Sequence, residues 1–178
     1  ACGPWCILAA PWAVPGAIAM PRRYVQLDVF ASRPGTGNPL GAVLDAESLD
    51  TASMQAIAAW LNLSETIFFL PPDAGADYRI RIFTPGSELP FAGHPSVGAA
   101  WLATTHGLAT PRDGRLVQQC AAGLLPAEVH GDPLRPGIRL RSPRGRLLDA
   151  SPGTLPAELA TIAQAGHAVE LWSNGPSW

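Results

Sequence analysis

A helix without a polar face has to be built into the inside of something, and residues 93–107, GHPSVGAAWLATTHG, spell such a helix. Val97, Ala99, Ala100, Trp101, Leu102 and Ala103 go round the cylinder without leaving the polar stripe that a surface helix keeps for water. Pro95 suits the first helical position, because its missing N–H would have no intrahelical acceptor there and its φ is already helical. His94 then stands at the N-cap, and Gly107 suits the residue that closes the far end. The helix must be surrounded, and the flanking sequence offers strands to do it.

YVQLDVF, Tyr24 to Phe30, alternates Val25, Leu27 and Val29 with Gln26 and Asp28, the period of a half-buried strand. LGAVLD reads as its hairpin partner across a tight connection at Gly35–Pro39. LDTASMQAIAAWLN carries helix marks: Asp50 as cap, Leu49 and Met54 at the staple positions, and Met54, Ile57 and Leu61 on one face. LSETIFFLPP leads out of that helix into a strand, and DYRIRIFTP alternates again. RLVQQCAAGLLPAEVHGD and GIRLRSP continue the β pattern, with a turn or bulge at Gly123. LPAELATIAQAG is a short helix candidate and HAVELW a strand start. The reading is α+β, strands in the majority.

Charge and cysteine usage narrow the function classes. The 178 residues carry a formal net charge of −2 and only 15% charged side chains, with the arginines scattered, so there is no basic footprint for nucleic acid. Cys2, Cys6 and Cys120 form no C-x-x-C pair and have no histidines at ligand spacing, so neither a disulfide framework nor a metal site is expected, and a reducing cytoplasm is the default. Residues 1–20 are apolar but broken by three prolines and lack a basic start, so they are expected neither to span a membrane nor to direct secretion, and to be a tail outside the fold.

Chemistry enters at the start of the buried helix. No Asp, Ser or Thr caps it, so its first N–H groups need another acceptor. A bound carboxylate would serve, held by the amides of Ser96 and Val97 and by the helix dipole, with His94 as a further donor or acceptor. Water or a strand carbonyl would satisfy the same groups without any function. Glu65, at the mouth of the strand TIFFL, is a carboxylate entering an apolar segment, where burial would raise its pKa and suit it to acid/base work; a solvated cap is the ordinary alternative. Glu88 and Asp28 are rival carboxylates explained by turn or edge polarity. His106, His130 and His167 read as surface histidines, and neither Ser96 nor Ser173 has a triad arrangement.

Three stretches occur together in order: YVQLDVFASRPGTGNPLGAVLD, NLSETIFFLPP and RIFTPGSELPFAGHPSVGAAWL. From Tyr24 to Pro143 the chain resembles the phenazine biosynthesis PhzF-like family of isomerases, built on the diaminopimelate-epimerase fold. That resemblance implies two similar lobes, each a curved, mostly antiparallel sheet wrapped around a central helix, with the active site between them. It assigns acid/base catalysis to Glu65 of the SET motif and carboxylate binding to Gly93 and His94 of GHP, and puts Asn38 of GNP near the substrate. In related cysteine-dependent epimerases a thiol precedes the helix; here Ala92 holds that place, so a two-thiol shuttle is not expected.

The implied reaction moves a proton on a small unsaturated carboxylate without cofactor or metal; a non-catalytic carboxylate-binding module is the alternative. The expected organisation is a tail over 1–20, a PhzF-like lobe over 21–146, and a linker with the incomplete start of a second lobe over 147–178. A lobe so exposed would gain from self-association, and a homodimer is the form that expectation takes.

Overall fold

The computed structural model describes residues 21–148, residues 157, 160, 161 and 165, and residues 171–173. The tail, Cys2, Cys6, His167 and most of the 155–166 helix candidate lie outside the described residues, although 157, 160 and 161 are helical.

Strand β1, Tyr24–Val29, pairs antiparallel with β2, Asn38–Val43, from Tyr24 opposite Val43 to Val29 opposite Asn38. The hairpin is as expected, but its connection is 30–37, so Asn38 and Pro39 belong to the strand and not to the turn. The Asp28 carboxylate explains the shift. It accepts from the amides of Gly35, Thr36 and Gly37 at 2.6, 3.2 and 3.0 Å, folding the loop over its own strand so that pairing resumes at Asn38. A side chain at Gly37 would run into the Val29 carbonyl and come within 2.6 Å of Asp28 Oδ1.

Helix α1, Thr51–Leu61, is capped by Asp50, whose Oδ1 accepts from Ser53 N at 2.8 Å. It carries the chain across to β3, Glu65–Leu70, which lies parallel to β2 with Leu40 opposite Glu65. Strand β4, Tyr78–Phe83, runs antiparallel to β3 and is joined by the short β5, Glu88–Leu89. Helix α2, Gly93–Thr105, leads to β6, Arg115–Cys120, parallel to β4. Then β7, Gly123–Asp132, and β8, Arg135–Leu140, follow as antiparallel neighbours. The turn before β7 needs Gly123, whose φ is +108°. The sheet order is β1-β2-β3-β4-β6-β7-β8 with β5 beside β4. A separate pair joins β9, Arg146–Leu148, to β10, Leu171–Ser173.

The long sheet curls around α2, which touches β1, β2, β3, β4, β6 and β8. Inside the curl lie Leu40, Ile67, Ile80, Ile82, Leu102 and Leu116, each fully buried. On the convex side α1 covers Val43, Phe68 and Phe83 with Met54 and Ala58, and the two phenylalanine rings meet edge to face at 5.4 Å. Strand β3 is therefore buried on both faces, which is why TIFFL reads as an unbroken apolar run.

Helix α2 is inside, as its sequence demands, with Val97 and Trp101 only half-buried. Gly98 allows the helix to lie against the β1–β2 hairpin: a Cβ there would stand 2.5 Å from Leu40 Cδ2 and 3.2 Å from Val29 Cγ2. The far end closes as expected. Gly107, φ +66°, donates to Thr104 O at 3.4 Å and Leu108 to Ala103 O at 2.9 Å, a Schellman closure. Among the described residues no helix is long and apolar enough to cross a membrane.

Candidate active site

Because β2 and β3 are parallel, their first residues share one edge of the sheet, and the start of α2 reaches the same edge. Asn38, Glu65 and His94 meet there. His94 Nε2 is 3.2 Å from Glu65 Oε2, and His94 Nδ1 is 3.0 Å from Asn38 Nδ2. Asn38 Oδ1 in turn accepts from the Ser64 hydroxyl at 2.8 Å.

The side chains of His94 and Glu65 are only 9% and 16% exposed. Although Nε2 and Oε2 are close, they are not aligned for a hydrogen bond, and both are buried atoms without a partner. Buried polar atoms are rarely left so, and these two face one another. Burial pushes the Glu65 carboxyl above its ordinary pKa. It pushes the His94 imidazole below its own, with a smaller opposing influence from the Pro39 backbone. Both groups are thus biased toward their neutral forms, a pairing in which one proton can move at small cost.

The helix start differs in detail from expectation. Ala92 is the N-cap, in extended conformation with no side chain capping the helix, so His94 belongs to the first turn. Ser96 N already donates to Ala92 O at 3.2 Å, so the amides without an intrahelical acceptor are those of Gly93 and His94, not those of Ser96 and Val97. Gly93 is exposed, with open space where a side chain would stand. Ser96 must also be corrected as a substrate contact: it is wholly buried and its Oγ accepts from Gln118 Nε2 at 2.9 Å, tying α2 to β6.

The rival carboxylates have structural work. Glu88 pairs with Arg81 at 2.6 Å, and Asp28 holds the hairpin loop. Cys120 is buried in β6. Two residues had been given no role: Ser64, although it stands in the quoted SET motif, and Gln118, a buried amide whose Oε1 also accepts from Tyr78 at 3.2 Å. Two larger cavities, of about 570 and 540 Å³, lie away from the Glu65–His94 pair. One is on the β6–β8 surface around Arg115 and Arg139; the other lies between β1 and β8 over Trp101.

A curled sheet around a buried helix, with its polar residues at the helix start, defines an α+β fold shared with the proline racemases and epimerases. A hydroxyproline epimerase from Agrobacterium vitis shares that fold at a TM-score of 0.55 and 13% identity, covering 71% of this chain and 42% of its own. The family described as phenazine biosynthesis-like protein matches residues 27–163, and the chain belongs to that family. A predicted epimerase from Pseudomonas aeruginosa superposes with a TM-score of 0.67 at 35% identity, over 88% of this chain and 57% of that one. Trans-2,3-dihydro-3-hydroxyanthranilate isomerase of Pseudomonas fluorescens is 37% identical over 156 residues, covering 86% of this chain and 54% of the relative. The chain spans about half or less of the curated relatives it matches, from 28% to 54% of their lengths in eight of them.

Proposed function

We propose that this chain carries the acid/base part of a cofactor-independent isomerase site, one that moves a proton on a small, unsaturated cyclic carboxylate of the dihydro-hydroxyanthranilate class. The observation that supports it is the buried, unpartnered pair Glu65 Oε2 and His94 Nε2, 3.2 Å apart beside an uncapped helix start. The amides of Gly93 and His94 and the positive end of the α2 dipole suit the substrate carboxylate. Glu65 takes a proton from a ring carbon, the electron pair left behind spreads through the unsaturated system toward the held carboxylate, and Glu65 returns the proton to a second carbon. Asn38, 3.0 Å from His94 Nδ1, completes the polar wall beside the substrate. The name carried by the Pseudomonas fluorescens relative supports this substrate class, and the family's description supports a biosynthetic role.

The uncapped start of α2, which would hold an anion whether or not Glu65 reacts, favours a second reading, in which the site binds the carboxylate without turning it over. Calorimetric titration with trans-2,3-dihydro-3-hydroxyanthranilate, followed by NMR in heavy water, separates the two. Binding with deuterium entering the ring is the expected result. Binding without exchange would leave the binder, and no binding by this or related cyclic carboxylates would overturn both.

A further inference from the structure

Helix α2 has no polar face, and apolar contacts carry no direction of their own. Ala99, Ala100 and Ala103 are fully buried and alike in shape, so they do not say which way the helix is turned. Gly98 fits it against the β1–β2 hairpin on one side. Toward β4 and β6 the interior holds three polar side chains instead: Ser96 and Gln118 are wholly buried, and Tyr78 is 2% exposed. Gln118 of β6 lies directly beside Tyr78 of β4. Its amide meets the Tyr78 hydroxyl at 3.2 Å and the Ser96 hydroxyl at 2.9 Å. A hydroxyl both donates and accepts, so the bridge is complete whichever way the amide is turned. Beyond the contacts of the His94 ring, the Gln118–Ser96 bond is the only hydrogen bond from α2 to the strands among the described residues.

We infer that Gln118 is a positioning residue: by holding Ser96 from β6 it fixes the rotation and axial place of α2, and so the stance of His94 and the helix-start amides toward Glu65. Ser96 stands in the same turn as His94. A helix rises about 1.5 Å and turns about 100° per residue, so a slip of one residue would carry the ring away from its 3.2 Å approach to Glu65 Oε2. Any such slip strands the Ser96 hydroxyl and the Gln118 amide among apolar groups, a loss that burial makes costly. The groups suited to the carboxylate ride on α2, whereas Glu65 belongs to β3. The catalytic meaning of the bridge rests on the acid/base role proposed for Glu65; the placement of the helix does not.

Two variants of the full chain separate aiming from stability. Gln118→Met removes the bridge and leaves both hydroxyls unpaired, so its thermal midpoint should fall. The triple variant Tyr78→Phe, Ser96→Ala, Gln118→Met makes the whole bridge apolar and should recover most of that loss, because no buried polar atom is then stranded. In both, the site should stay misplaced. NMR titration of the histidine rings reads this without substrate, with His94→Gln identifying the His94 signals among those of the four histidines. Burial holds the His94 midpoint below the ordinary 6.5, with Glu65 the titratable group that faces the ring. In both variants the midpoint should move up toward 6.5 as water reaches the ring. In heavy water, deuterium entry into trans-2,3-dihydro-3-hydroxyanthranilate at saturation should slow about 10- to 10²-fold with KM little changed, since the carboxylate travels with α2. A folded triple variant with an unchanged His94 midpoint would overturn the assignment. So would a triple variant that does not fold, since the bridge would then hold the fold together and not aim the helix. A moved midpoint with undiminished exchange, or an unaltered chain without exchange, would defeat the acid/base reading of Glu65 while the midpoint still decides the positioning.

Discussion

Glu65 is the residue at which environment changes chemistry most. In the unfolded chain it ionises near the ordinary value of 4.5, but in the fold burial holds its proton to higher pH. The folded state therefore binds more protons through that interval, and stability falls as pH rises across it. Glu65→Gln removes the penalty. Its thermal midpoint should exceed the parent's at neutral pH, and the difference should shrink as pH falls toward the ordinary glutamate range; a gap that widens in acid would show that burial is not the cause. Single residues were only partly legible in sequence. Glu65, His94 and Asn38 were reached through motifs, but their mutual distances depend on two strands being parallel, which no local pattern announces. Ser96 was misplaced for a related reason: the helix cap lies two residues earlier, at Ala92 and not His94, so the Ser96 amide is bonded and its hydroxyl meets Gln118.

Elements were easier to read, because period and capping chemistry are local. The alternation of Tyr24–Val29 and Tyr78–Phe83 and the Asp50 cap all appear where the residues put them. The hairpin connection was drawn wrongly because the three hydrogen bonds to Asp28 are not visible in a turn-residue pattern. Gly37→Ala should therefore disturb the register at Asn38, seen as altered amide signals of Asn38 and His94 with the α1 signals unmoved. Gly98→Ala puts a methyl 2.5 Å from Cδ2 of the fully buried Leu40, and should cost about 1–3 kcal/mol in urea unfolding, as overpacked cores do. An unchanged midpoint would mean that α2 and the hairpin are not in close contact.

At the scale of the molecule, the buried helix demands cover on most of its sides, and the curled sheet supplies it, touching α2 with β1, β2, β3, β4, β6 and β8. Native-state hydrogen exchange should find the slowest amides in β2, β3, β4 and α2, where the fully buried side chains concentrate, and faster ones in β8, most of whose residues are exposed or half-buried. Sequence could not show how the sheet closes, since the β2–β3 and β4–β6 pairings join segments separated by whole helices. The account stands on the proton transfer assigned to Glu65, and one comparison reaches it directly: deuterium incorporation into trans-2,3-dihydro-3-hydroxyanthranilate in heavy water, for the unaltered chain and for Glu65→Gln. The expected result is exchange by the first and a loss of about 10²- to 10⁴-fold in the second, with calorimetric affinity retained. Equal exchange rates in the two proteins would contradict it.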